Sequence, residues 1–291
     1  MNTTSFNRDN SNLIIIEKKN EVYITVDCES DVQREISEFF TFYVPGYKFM
    51  PAYRTRMWDG KIRLFSQKTK EIYFGLYPYI KAFAEERGYN IVAAKDVDID
   101  NKVDKDVVTK FSNSLGQKFE ARDYQIDAIF HSLKRNRTLL VSPTASGKSF
   151  IIYSLIRYYT HLIKENVNNR ILLIVPTTSL VEQMYTDFES YGWNVKKYCH
   201  RLYSGYSNQT DKKVLISTWQ SLYKLPKSYF EQFGCVFGDE AHLFKSKSLT
   251  EIMTKLIDCK YRIGLTGTLD GAHTHKLVLE GLFGAVNKVT T

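Results

Sequence analysis

Four side chains in this sequence could work together on a phosphate. Lys148 and Ser149 close one short loop, and Asp239 and Glu240 stand side by side about 90 residues later. The loop lies in the run Val141-Ser142-Pro143-Thr144-Ala145-Ser146-Gly147-Lys148-Ser149. Thr138–Val141 reads as a buried strand, and the apolar stretch Ser149–Tyr159 reads as a helix. A strand, a small-residue loop and a helix N-terminus make an anion cradle, because free backbone N–H groups and the helix dipole face the same point. Pro143, Thr144, Ala145, Ser146 and Gly147 would form that cradle. Lys148 would reach terminal phosphates, and the Ser149 hydroxyl would hold Mg²⁺. One position departs from the P-loop pattern: Ser142 stands where the first glycine belongs. Taken alone, the loop also fits a plain strand–turn–helix joint with a surface lysine.

Asp239-Glu240-Ala241-His242 follows the apolar run Cys235-Val236-Phe237-Gly238. An acidic pair at a strand tip supplies the second half of a phosphoryl-transfer site. Asp239 would hold Mg²⁺ through its water shell, and Glu240 would orient or deprotonate the attacking water. Gly238 stands where a bulky apolar residue is expected, which leaves room for a neighbouring side chain. Thr266-Gly267-Thr268 ends a third apolar run. Its two hydroxyls can hydrogen-bond the acidic residues, or can form an ordinary hydroxyl-closed turn.

These groups must be held by strands and helices in alternation. Strands are expected at Thr138–Val141, Arg170–Val175, Lys213–Ser217, Cys235–Gly238 and Tyr261–Leu265. Helices are expected at Tyr124–Ser132, Lys148–Tyr159, Thr178–Tyr191 and Ser248–Leu256. Near-continuous apolar strands between helices predict an α/β fold with a parallel sheet covered on both faces. Every motif then falls at the carboxyl end of a strand, where such folds bind ligands.

The ordered set resembles the first RecA-like motor domain of the superfamily 2 helicases of the DEAH/DExH type, over about 121–291. Arg122-Asp123-Tyr124-Gln125 is similar to that family's adenine-reading motif, which implies Gln125 on the adenine edge and Arg122 beside the ring. Val175-Pro176-Thr177-Thr178-Ser179-Leu180 and Ile216-Ser217-Thr218-Trp219-Gln220-Ser221-Leu222 resemble its two backbone-contacting motifs. That implies nucleic-acid phosphate contacts by Thr177, Thr178 and Thr218. The resemblance also implies ATP and Mg²⁺, with Lys148, Asp239 and Glu240 catalytic. His242, Thr266 and Thr268 would link the nucleotide state to the nucleic-acid track. The family closes ATP between two motor domains, and the second supplies arginine fingers. This sequence ends about 23 residues after Thr268. Leu282-Phe283-Gly284 and the polar tail look like the approach to that second domain, so a fragment inactive on its own is expected. Within the family the sequence is most similar to phage recombination helicases.

The first 120 residues hold 18 basic and 18 acidic side chains, so the net charge of +8 lies entirely in the rest. Leu13–Ile16 and Val22–Val26 read as a hairpin. Ser30 would cap a helix Asp31–Phe42, ended by Pro45-Gly46. Lys48–Lys70 carries seven basic residues against Asp59, with Tyr47, Phe49, Tyr53, Trp58 and Phe65 interleaved. Arg54, Arg56, Lys61 and Arg63 are the candidate DNA contacts there, since cations neutralise phosphates and aromatic faces stack on bases. The same stretch also fits a solvated hairpin, Ile62–Phe65 with Ile72–Gly75, whose aromatics are core. A helix Tyr79–Arg87, stopped by Gly88, and a strand Asn90–Ala93 complete a small α+β domain over 1–95. The acid-rich stretch 96–120 lacks apolar periodicity and reads as a linker. It resembles a calcium loop only loosely, without the glycine or the closing glutamate.

Composition is globular, with 43% hydrophobic and 25% charged residues. That argues against disorder beyond the polar Met1–Asn12. Cys28, Cys199, Cys235 and Cys259 are far apart and form no CxxC pair. They read as reduced, mostly buried thiols of a cytoplasmic protein, or of a host cytoplasm if viral. No signal peptide or membrane span is legible. The expected function is an ATP-dependent DNA helicase or translocase on branched DNA in recombination, repair and replication restart. An RNA helicase and a DNA-binding module without turnover remain as rivals.

Overall fold

The computed structural model describes residues 12–143, 146–243, 246–269 and 273–289. The polar N-terminus 1–11, Thr144 and Ala145 of the loop, and the last two threonines lie outside them. Among the described residues, no helix is long and apolar enough to cross a membrane. Cys199, Cys235 and Cys259 are buried free thiols, and Cys28 is half-buried.

The N-terminal part is built on β1 (Leu13–Lys18) and β2 (Tyr23–Asp27), paired antiparallel as the two apolar runs predict. Helix α1 (Ser30–Phe39) follows, then β3 (Thr41–Tyr43), a short helix α2 (Pro51–Arg54), β4 (Lys61–Arg63) and β5 (Glu71–Tyr73). Helix α3 (Tyr77–Arg87) ends on left-handed Gly88, and β6 (Asn90–Ala93) runs parallel to β1. The sheet order is β5-β2-β1-β6.

Three expectations are corrected here. Ser30 is inside α1 rather than its cap; Glu29 occupies that place without a side-chain bond. The helix stops at Phe39, because Thr41–Tyr43 leaves it to pair with Lys61–Arg63. The expected Ile62–Phe65/Ile72–Gly75 hairpin does not form. Ile62 instead lies opposite Phe42 in the β3–β4 ribbon, and Ile72 opposite Ile24 in the main sheet. Each strand goes where its apolar residue finds a partner, and one bridge, Ser66 to Glu71, remains between them.

The stretch read as a linker contains α4 (Lys105–Asn113), capped by Asp104, whose carboxylate accepts from the Asp106 and Val107 amides. The strands and helices then alternate: α5 (Asp123–Arg135), β7 (Arg137–Val141), α6 (Lys148–Leu162), β8 (Arg170–Val175) and α7 (Thr178–Ser190). After them come α8 (Val195–Tyr198), β9 (Cys199–Leu202), β10 (Val214–Thr218), α9 (Trp219–Leu222), α10 (Lys227–Phe230) and β11 (Phe233–Gly238). The chain finishes with α11 (Ser246–Lys255), β12 (Tyr261–Thr266), α12 (His273–Phe283) and β13 (Val286–Lys288). The seven strands are all parallel, in the order β13-β7-β12-β11-β8-β10-β9. Leu282 and Phe283 end α12, and β13 follows beside β7 as an edge of the same sheet.

Phe283 explains Gly238. Gly238 and Gly264 are register partners on β11 and β12. A Cβ at Gly238 would lie 2.6 Å from the Phe283 ring, and one at Gly264 2.9 Å from it. The paired glycines make a flat slot for that ring directly below the acidic strand tip.

The two parts share buried contacts. A single hydrophobic cluster runs from Phe74, Leu76 and Ile80 into Leu277, Leu282 and Phe283. Gly75 sits so close to α12 that a Cβ would lie 1.9 Å from the Glu280 carbonyl oxygen. The Tyr79 hydroxyl donates to Glu280 Oε2 at 2.7 Å, and the Val286 amide donates to Glu280 Oε1 at 3.1 Å. Glu21, in the β1–β2 turn, donates its amide to the Ile257 carbonyl at 2.9 Å and accepts from Arg137 Nη2 at 2.8 Å. The Arg137 guanidinium lies 3.7 Å over the Phe74 ring. Burial, then neighbouring Arg262, push Arg137 down to about 9 against the pull of Glu21. Arg262 is fully enclosed. It donates to the carbonyls of Cys259 (3.1 Å), Leu282 (3.1 Å), Met253 (3.0 Å) and Leu256 (2.5 Å). Those oxygens include orphan carbonyls at the ends of α11 and α12, so one side chain caps both helices.

Candidate active site

The loop after β7 turns on two serines. The Ser142 amide is tied to the Thr266 carbonyl at 2.9 Å, which joins the loop to β12. Ser142 is enclosed and its Oγ lies 2.5 Å from Ser146 Oγ. The departure from glycine is thus absorbed by a hydroxyl bridge across the loop. The Pro143 carbonyl accepts from the Ser146 amide at 3.2 Å. Gly147 takes a left-handed φ of +74° at the start of α6. Its missing side chain leaves room for Gln125, whose Nε2 lies 2.4 Å from where a Cβ would stand.

At the head of α5 the Arg122 amide donates to Gln125 Oε1 at 3.0 Å, and the Gln125 amide donates to the Arg122 carbonyl at 2.9 Å. Gln125 Nε2 donates to the Ser146 carbonyl at 3.0 Å, so the side chain braces the loop. Tyr124, which sequence reasoning passed over within the same four-residue run, does the same. Its hydroxyl donates to the Ser146 carbonyl at 3.1 Å and accepts from Arg122 Nη1 at 2.8 Å.

Lys148 begins α6 and forms an ion pair with Glu240 Oε1. Glu240 follows the β11 tip with a left-handed φ of +49°, unusual for a residue with a side chain. Its other oxygen, Oε2, accepts from the Gly267 amide at 3.3 Å and lies 3.4 Å from His242 Nδ1. Thr266 Oγ1 is 2.6 Å from His242 Nδ1 and donates to the Thr268 carbonyl at 2.7 Å. The structure therefore gathers Lys148, Glu240, His242, Thr266 and Thr268 in one place: Lys148 pairs with Glu240, Glu240 lies 3.4 Å from His242, and His242 is hydrogen-bonded to Thr266. Thr268 joins through its carbonyl.

Asp239 is 3% exposed. Its Oδ1 is buried and accepts no hydrogen bond among the described residues. Burial, then the adjacent Glu240 charge, raise its carboxyl to about 6, with Lys148 opposing. An enclosed, unpartnered carboxylate oxygen suits the water shell of a divalent cation, so the donor set fits Mg²⁺ on the Asp239 side. Ser149 is differently engaged. Its Oγ lies 2.9 Å from the Tyr191 hydroxyl, at the end of α7, a partner with no sequence signal.

The raised Asp239 carboxyl has a stability consequence. A carboxyl whose folded value exceeds its unfolded one of 3.8 favours folding while protonated, and that advantage is lost as pH rises through about 6. That loss begins near 3.8 and is complete near 6, so Asp239→Asn is expected to raise the melting temperature fully at pH 8 and about half as much at pH 5. The gain is on the order of 3 kcal/mol for a two-unit shift. Thermal melts in EDTA at both pH values check it. Equal effects at both would sink the assignment.

The other candidates are spread out. Thr177 caps α7, its hydroxyl accepting from the Leu180 amide at 3.3 Å, and Thr178 beside it is exposed. Thr218 is 4% exposed, with Oγ1 3.1 Å from Ser221 Oγ. Arg54 and Arg56 are exposed. Lys61 Nζ lies 4.9 Å over the Tyr43 ring, and Arg63 pairs with Asp59 at 2.5 Å.

Residues 118–271 match the family described as type III restriction enzyme, res subunit, and residues 14–94 match the family described as DNA helicase UvsW, N-terminal. The ATP-dependent DNA helicase uvsW of Enterobacteria phage T4 is 34% identical over 278 residues, 92% of this chain and 54% of that protein. A crystal structure of the UvsW helicase from bacteriophage T4 superposes with a TM-score of 0.84 at 34% identity, covering 94% of this chain and 99% of that one. The DNA 3'-5' translocase XPB2 of Sulfurisphaera tokodaii is 27% identical over 224 residues, 70% of this chain and 46% of that protein. The chain spans about half the length of these two curated relatives. It belongs to the UvsW-like superfamily 2 helicases, a UvsW-type N-terminal domain joined to a RecA-like helicase domain.

Proposed function

We propose that this chain is the ATP-holding and DNA-gripping part of an ATP-dependent helicase or translocase. It acts on branched DNA in recombination, repair and replication restart. The observation that carries the reading is the run of contacts from Lys148 through Glu240 to His242 and Thr266, which sets a phosphate cradle beside two neighbouring strand tips.

Adenine is read by Gln125 and flanked by Arg122. The terminal phosphates take Lys148 from Glu240. Once released, the Glu240 carboxylate is free to orient water or accept its proton. Ser149 and Asp239 would hold Mg²⁺, whose charge would offset that of the phosphates. The released Glu240 shifts its load onto Gly267 and His242, and Thr266 passes that change along β12. Thr177 and Thr178 grip backbone phosphates, which gives hold without sequence choice. Closure against a second motor domain supplies the arginine fingers. The 291 residues tested alone are therefore expected to bind nucleotide and DNA with negligible hydrolysis. Robust turnover that disappears in a Lys148→Ala control would overturn that division of labour.

Charge reversal at Arg54, Arg56, Lys61 and Arg63 tests the DNA side. Each phosphate contact removed lowers the salt slope by roughly 0.9 on B-DNA. Arg54 and Arg56 are expected to dominate, since Arg63 is already paired with Asp59. Fluorescence anisotropy on duplex and forked DNA at several salt concentrations reads the slope. An unchanged slope would make the patch a solvated face.

A further inference from the structure

The stretch from β3 to β4 spends most of its aromatic residues on itself. Tyr43 stacks on Tyr47 with ring centres 4.7 Å apart, and Tyr47 meets Tyr53 edge-on at 4.8 Å. Gly60 passes beneath Tyr47, where a Cβ would lie 2.3 Å from the ring. The Trp58 indole donates to the Lys61 carbonyl at 2.9 Å. These contacts make a small stiff knob at the far end of the two-stranded ribbon.

Two large side chains take no part in it. Phe49 is 86% exposed and Met57 85% exposed. No other described aromatic residue is nearly as bare: Tyr43 follows at 54%. Around them stand Lys48, Arg54 and Arg56, all exposed. Asp59 is the one acid in Lys48–Lys70, and Arg63 occupies it. Arg56 holds a left-handed φ of +59° between α2 and Met57. The knob thus presents bare apolar surface beside a depression of about 550 Å³ in which Lys48, Arg54 and Arg56 outnumber the one acid, Asp59, with Tyr53, Met57 and Trp58 completing the lining.

That combination selects among polyanions. Intact duplex presents sugar and phosphate outward and keeps its base faces covered, so it can engage the cations alone. A branch point leaves the face of a terminal base pair, or an unpaired base, open to stacking. We propose that Phe49 and Met57 form a tip that stacks on the bases exposed at a DNA branch, while Lys48, Arg54 and Arg56 hold the flanking phosphates. The knob reads a broken base stack, not a sequence. This rests on the DNA reading above and names the feature of the substrate that it recognises.

The test uses the 291-residue chain, with Phe49→Ser/Met57→Ser compared with wild type on duplex, a three-strand fork and a four-way junction. Both positions are exposed, so the melting temperature is expected to stay unchanged. Fork and junction affinity should fall about tenfold, toward the duplex value, by the loss of one stacked base. Duplex affinity and salt slope should be unchanged. A 2-aminopurine at the branch should change its fluorescence on binding wild type and not on binding the variant, and Phe49→Trp/Met57→Leu should restore the response. Equal losses on fork and duplex, or a fork preference left intact, would overturn the tip. So would an intact fork preference with lost binding to phosphatidylserine vesicles, which would assign the tip to a lipid surface. Wild type that binds no DNA at all would remove the DNA reading itself, an outcome distinct from these.

Discussion

Lys148→Ala and Glu240→Gln are expected to move nucleotide affinity in opposite directions. Both residues belong to one ion pair, with side chains 13% and 22% exposed. Removing Lys148 deletes the cation that meets the terminal phosphates, and it leaves Glu240 as uncompensated negative charge facing the cradle. The expected loss of affinity is on the order of 100-fold. Removing the Glu240 charge does the reverse, because Lys148 no longer has to be won from a carboxylate. The gain is at most about fivefold, since a pair that still touches water is partly screened. Turnover separates the two further. With a second motor domain present, Glu240→Gln should lower it by roughly 10² to 10⁴, the range for a lost general base. Titration of a fluorescent ATP analogue followed by polarisation reads the affinities, and steady-state phosphate release reads the turnover. Equal weakening by both substitutions would show that Glu240 is not a competitor for Lys148.

Arg262→Leu is expected to cost about 3–5 kcal/mol of stability, because unpartnered buried carbonyls each carry a desolvation penalty. The side chain serves four carbonyl oxygens and, among the described residues, makes no direct ion pair, so a leucine removes every donor and replaces none. For a unit of this size the melting temperature should fall by roughly 10 °C. Calorimetric melting checks it, with Arg262→Lys as a partial rescue limited by lysine's single nitrogen. A fall below about 3 °C would mean that the helix ends find other donors.

The motor fold was legible because its strands are apolar on both faces and its motifs sit at their tips. Ile171–Val175 and Cys235–Phe237 could hardly be anything but central strands. Asp239, Glu240 and Thr266 were readable as a site for the same reason. The small domain was less legible. Thr41-Phe42-Tyr43 continues the helical spacing of α1, and only the distant Lys61–Arg63 decides that it becomes a strand. Such a choice is made by pairing, not by propensity. Helix α4 was missed because its cap, Asp104, was counted among a run of acids. Ser149 shows the same limit within the site, where Tyr191 comes from a helix 42 residues away. Arg137, Arg262 and Glu21 carried no motif at all; they matter because two units meet there.

That meeting has a mechanical consequence. Gly75 against the α12 backbone, Glu21 against Arg137 and the shared core leave no slack between the ribbon that carries Phe49 and the helix that follows the Thr266–Thr268 strand tip. The Phe42 and His273 rings, 5.3 Å apart, close the same joint nearer the knob. Under the proposed function, the tip is the end of a stiff lever, not a bead on a tether. A displacement of the motor along DNA arrives at the tip at full stroke, and a load at the tip returns to the first turn of α12. Lengthening the chain between β6 and α4 would therefore not uncouple them, because force crosses the packed face and not the covalent joint.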